Sequence, residues 1–116
     1  MEKEDWSAAQ IIEHLPQRFK AQESIGYEVV IHFQITGNHG GEYSLQVKDG
    51  LCTVSRGLID APNCVIKSSA AQYELVEKGK KNPMVAIMAG DIKVSNMMEM
   101  MSFSQRFYGL FSSKIK

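Results

Sequence analysis

The sequence predicts an α+β domain built on a mostly antiparallel sheet with helices packed against it. Three observations predict this. Apolar residues at helical spacing open the chain, strict period-two alternation follows, and short capped helical patterns dominate what remains. At 116 residues the chain is expected to form one domain over residues 1–116.

The first helix is predicted from Ser7 to about Lys20. Ser7 and Gln10 form a capping box, and Ile11, Ile12, Leu15 and Phe19 recur on one face. Pro16 should kink or restart it, because a proline inside a helix removes a backbone donor. The clearest strand is Tyr27 to Thr36, where Tyr27, Val29, Ile31, Phe33 and Ile35 alternate with the wetter face of Glu28, Val30, His32, Gln34 and Thr36. After a flexible turn at Gly37–Gly41, Tyr43, Leu45 and Val47 mark a second strand. Asp49-Gly50 supplies the two positive-φ positions of a tight hairpin. A third strand, Leu51 to Ser55, points Cys52 and Val54 inward, and a fourth runs from Cys64 to Ser68. These strands read as an antiparallel meander.

The remainder is mostly helical. Ser69 and Gln72 cap a helix through Lys78 that buries Tyr73, Leu75 and Val76, and Gly79 ends it. Pro83 begins another, with Met84, Ile87 and Met88 on one face and Gly90 as its stop. Asp91 to Val94 returns as a short edge strand. Asn96 and Glu99 open a last helix whose apolar positions extend to Leu110 and Phe111 over a wide arc.

Composition excludes several classes of function. Net charge is zero, with nine acids and five bases in residues 1–60 against four acids and eight bases in residues 61–116. That is no nucleic-acid surplus, although the basic second half suits brief contact with an anionic membrane surface. The longest apolar run, Met84 to Ala89, cannot span a bilayer, and no secretion signal is visible, so a cytoplasmic location is expected. Cys52 and Cys64 are then expected to be reduced. His14, His32 and His39 share no metal-ligand spacing, and no nucleophile elbow or phosphate loop is present. No cofactor, metal or catalytic residue is expected.

Six of the seven methionines lie between Met84 and Met101. Methionine is unbranched and polarizable, so it fills ordinary cores but also adapts to guests of varied shape.

Several elements occur in a familiar order: Leu15-Pro16-Gln17-Arg18-Phe19, Gly26 before the first strand, Gly37-Asn38-His39-Gly40-Gly41, Asp49-Gly50, Pro62-Asn63-Cys64-Val65-Ile66, Gly79-Lys80-Lys81-Asn82-Pro83 and Gly90-Asp91-Ile92-Lys93-Val94. In these the chain resembles the sterol carrier protein type 2 family over nearly its whole length. The resemblance implies a five-stranded, mostly antiparallel sheet with helices on one face and an apolar tunnel between them. It also implies fatty acids, fatty acyl-CoA, phospholipids and sterols as ligands. Two departures touch the site. Ser95 stands where the family commonly has glycine, and methionine and phenylalanine replace the usual aliphatic residues of the last helix.

Three functions compete. A non-catalytic lipid carrier would draw Phe33, Ile35 and Leu45 from the sheet, and Leu75, Met84, Ile87 and Met88 from the middle helices. Met97, Met98, Met101, Phe107 and Phe111 would close the site from the last helix. All of these side chains would serve equally as plain core, Phe33 and Leu45 above all. An interaction module, accessory to a lipid-metabolising enzyme or homodimeric, would use the last helix to meet a partner. A thioesterase of hot-dog type needs its long helix wrapped by the sheet, whereas here the longest apolar helix is C-terminal. Lys80 and Lys81 would suit an anionic head group, or be ordinary solvated lysines.

Overall fold

The computed structural model describes residues 2–115. Helix α1 (Ala8–Glu13) begins at the expected capping box: the Ser7 hydroxyl accepts the Gln10 N–H at 3.3 Å, and Gln10 Oε1 accepts the Ser7 N–H at 2.9 Å. It is shorter than expected. The chain breaks at His14 and continues as a 3-10 turn, Leu15–Arg18, with Pro16 near its start. Proline fits such a first turn but blocks continuation of the α-helical ladder.

Five strands follow: β1 (Val29–Thr36), β2 (Gly41–Lys48), β3 (Leu51–Arg56), β4 (Cys64–Ser69) and β5 (Ile92–Val94). They form one mixed, mostly antiparallel sheet in the order β3-β2-β1-β4-β5. Asp49 and Gly50 turn the β2–β3 hairpin with φ of 53° and 78°. Alternate residues on each strand face the same side, so Ile31, Phe33, Leu45, Val47, Cys64 and Ile66 share the core face.

The meander does not continue into β4, which pairs with β1 in parallel. The reason lies in residues 57–63, which cross the outer face of the sheet before the chain turns back. Ser44 Oγ donates to the Gly57 carbonyl and accepts the Ile59 N–H, both at 2.7 Å. Asn63 closes on Val30 twice, through N–H to carbonyl and through Oδ1 to N–H, each 2.8 Å. This crossing also buries His32, whose Nε2 lies 2.9 Å from the Ile59 carbonyl, so the wetter face is covered there. At the other edge Ser95 extends the β4–β5 pairing: its N–H donates to the Val65 carbonyl at 3.0 Å and its Oγ accepts the Val65 N–H at 2.7 Å.

Three further helices cover the core face together with α1. Helix α2 (Ala70–Glu77) starts under the Ser69 hydroxyl, α3 (Pro83–Met88) under Asn82 Oδ1, and α4 (Met97–Ser104) under Asn96 Oδ1. Both α2 and α3 end in a Schellman motif. For α2, Lys80 N–H reaches the Leu75 carbonyl at 2.8 Å and Gly79 N–H reaches Val76 at 3.1 Å. For α3, Asp91 N–H reaches Ala86 at 2.9 Å and Gly90 N–H reaches Ile87 at 3.0 Å. Gly79 sits at φ 74°, and the place where a Cβ would stand has open space for 4 Å around it, so only backbone strain opposes a larger residue. Gly79→Ala should therefore cost about 1–2 kcal/mol in urea denaturation without altering the fold.

Helix α4 stops well short of the expected Phe111. The backbone groups it would need beyond Ser104 are taken by the end of the 3-10 turn and the residues just after it. Lys20 N–H donates to the Arg106 carbonyl and Tyr108 N–H donates to the Arg18 carbonyl, both at 2.8 Å. Phe107 packs on Phe19 and Phe103, with ring centroids 5.4 and 4.7 Å away. Both cysteines are free, Cys64 buried and Cys52 half-buried. Burial pushes the Cys52 thiol up to about 12, so it behaves as an apolar group.

Candidate functional site

A cleft of about 390 Å³ opens between the sheet and helices α2, α3 and α4. Its floor follows from strand register: Phe33, Ile66 and Val94 stand side by side on β1, β4 and β5, and Ile92 adjoins them. Its walls follow from helical spacing. Tyr73, Val76 and Glu77 fall three and four residues apart on α2, Pro83, Met84 and Ile87 line it from α3, and Met100, Met101, Phe103 and Ser104 from α4. Phe33 anchors the arrangement, meeting Tyr73 and Phe103 edge-on at 6.0 and 6.4 Å.

One wall is polar. Arg18, buried beneath it, forms a two-pronged ion pair with Glu77, Nη1 to Oε2 at 3.0 Å and Nη2 to Oε1 at 3.2 Å. Its Nε donates to the Tyr108 carbonyl at 2.8 Å, and the Tyr73 hydroxyl donates to Glu77 Oε2 at 2.9 Å. Burial first, and the neighbouring Glu77 charge second, hold the Tyr73 phenol well above its usual range.

Among the residues expected from sequence, Phe33, Met84, Ile87 and Met101 line the cleft. Ile35 and Leu45 face the same side of the sheet but are sealed in the core. Leu75 lies on the solvent side of α2, so the expectation that this helix buries it does not hold. Met88 and Met98 are each 84% exposed, and Met97 is half-buried outside the lining. Phe107 is buried in the aromatic group with Phe19 and Phe103, and Phe111 lies exposed beyond α4. Sequence reasoning missed Ile66, Tyr73, Val76, Glu77, Ile92, Val94, Met100 and Phe103 as lining residues. The signals existed: Tyr73, Val76 and Glu77 share a helical face, and Ile92 and Val94 alternate on a strand. Lys80 and Lys81 are both engaged, Lys80 with Glu4, and Lys81 with Gln72 and Asp91 at 2.7 and 2.8 Å. Among the described residues no cluster of His, Cys, Asp or Glu is arranged to hold a metal, and no helix is long and apolar enough to cross a membrane.

Fold and site together define an α+β domain with an apolar cleft between sheet and helices. Residues 10–107 match the profile of the SCP-2 sterol transfer family, and the chain belongs to that family. No curated protein sequence matches it. Among solved structures, the palmitated SCP2L2 of Aedes aegypti is similar at a TM-score of 0.63 and 19% identity, over 85% of this chain and 91% of that one. The apo form of sterol carrier protein 2 from Yarrowia lipolytica is similar at 0.58 and 20% identity, over 80% and 87%. The sec-alkylsulfatase Pisa1 from Pseudomonas sp. is similar at 0.76 and 15% identity, over 94% of this chain, which spans only 17% of that enzyme. At these identities the likeness is one of fold.

Proposed function

We propose that this chain is a non-catalytic carrier that binds the hydrocarbon part of a lipid in the cleft between its sheet and α2–α4. The observation that carries this reading is the cleft itself: an apolar floor and mostly apolar walls, polar only on the side of Tyr73, Glu77 and Ser104, around a volume toward the small end of the roughly 300–1,000 Å³ typical of small-molecule sites. Each methylene buried there contributes about 0.8 kcal/mol, so a sixteen-carbon chain offers on the order of 12 kcal/mol before ordering costs. Contacts of this kind discriminate weakly between chain lengths, and binding should be broad.

Exposed Val85 and Met88 lie on α3 and exposed Met98 on α4, two of the three helices that flank the cleft. They support exchange of lipid at a membrane surface inside the cell, where flexible apolar side chains meet acyl chains. The same exposed surface supports a second reading, a dimerising module that covers it with another copy.

The test is incubation with phosphatidylcholine vesicles doped with fatty acid and cholesterol, then re-isolation and native mass spectrometry. One lipid per chain is the expected result. A protein that takes up no amphiphile and sediments as a tight dimer favours the module instead.

A further inference from the structure

We infer that the Arg18–Glu77–Tyr73 wall makes the cleft select lipids whose head group brings a hydrogen-bond donor without negative charge, such as a long-chain alcohol, over the corresponding carboxylate. This rests on the lipid-binding reading above and adds a head-group class to it.

The argument is an inventory of donors. Three polar side chains line the cleft: Tyr73, Glu77 and Ser104. The Tyr73 O–H already donates to Glu77 at 2.9 Å, and the Ser104 O–H already donates to the Met101 carbonyl at 2.9 Å. A carboxylate has no hydrogen to give. What these three groups offer a guest is therefore lone pairs.

Arg18 is the side chain that would normally receive a carboxylate through two parallel N–H bonds. Here that fork is occupied by Glu77, and Nε is occupied by the Tyr108 carbonyl. Arg18 is not part of the cleft surface, so the neutral pair shows the guest its negative end. The buried phenol stays protonated and keeps its bond to Glu77. A fatty acid anion at this wall meets like charge and no donor, which leaves its own oxygens unsatisfied. An alcohol can give its O–H to a free lone pair of Glu77 or Tyr73.

The test is displacement of N-phenylnaphthylamine, a neutral fluorophore, by dodecanol and by dodecanoate at a pH where the acid is ionised. The full chain should bind the alcohol at least about tenfold more tightly, the size of one good hydrogen bond to a charged group. Any apolar cleft favours a neutral guest somewhat, so the variants decide the cause. Glu77→Gln presents an amide donor and frees the Arg18 charge, and should narrow the alcohol-to-acid ratio at least about fivefold. The double variant Arg18→Met/Glu77→Leu removes both charges without stranding either, and should narrow it similarly if the single variant fails to fold. Equal or tighter binding of dodecanoate by the unaltered chain overturns the inference, as does an unchanged ratio in a folded variant. If neither compound nor the fluorophore enters, the lipid-binding reading itself falls.

Discussion

Replacing Arg18 by alanine is expected to cost about 3–5 kcal/mol of folding free energy, the usual loss when one member of a buried ion pair is removed. Total stability of such a domain is on the order of 5–15 kcal/mol, so the variant should melt far below the unaltered chain or fail to fold at low temperature. The size of the effect comes from the number of groups that Arg18 satisfies. Its guanidinium answers both oxygens of Glu77 and the Tyr108 carbonyl, and its own carbonyl accepts the Tyr108 N–H. Alanine retains only the last of these, and leaves Glu77 and Tyr73 beside each other with no cation. Arg18→Met/Glu77→Leu should lose less than Arg18→Ala alone, because it strands no charge. Urea denaturation of both variants checks this. A single variant within about 0.5 kcal/mol of the unaltered chain would show that the pair contributes nothing.

Met101→Glu is expected to reduce lipid binding by about a hundredfold or more while leaving the fold intact. Met101 lines the cleft yet is 52% exposed, so a carboxylate there can stay hydrated in the empty protein. It must lose that hydration when a hydrocarbon chain enters, at a cost of several kcal/mol, and each 1.4 kcal/mol is about tenfold in affinity. Met98→Glu is the control. Met98 is on the same helix but outside the cleft lining, and its variant should bind lipid as before. Displacement of a fluorescent fatty acid from each variant in solution, with no vesicle present, separates the two residues. A folded Met101→Glu protein with unchanged affinity would remove Met101 from the site, and equal losses in both would point to a general effect of charge on α4.

The elements legible in the sequence were those governed by local rules. Alternation in Val29–Ile35 put Phe33 on the core face, Asp49-Gly50 turned the hairpin, Ser7, Ser69 and Asn96 each capped a helix as side-chain acceptors, and Pro83 opened α3. The site was legible only in part. Met97, Met98, Met100 and Met101 fill four of the first five positions of α4, an arc too wide to show which of them face the sheet. On α2 the alternatives were clearer, yet Leu75 was favoured for its hydrophobicity, while the charged Glu77, on the face shared with Tyr73 and Val76, lines the cleft.

Residue order alone carries the succession and kind of the elements, the caps and glycine stops that bound them, and the family to which the chain belongs. Three-dimensional packing was needed to run β4 parallel to β1, to end α4 at Ser104, and to bring Arg18 to Glu77 across 59 positions of chain. The difference is one of range. Caps, turns and periodicity act within a few residues of the backbone that carries them. Strand partners, helix ends claimed by a distant segment and buried ion pairs depend on groups that become neighbours only when the core closes.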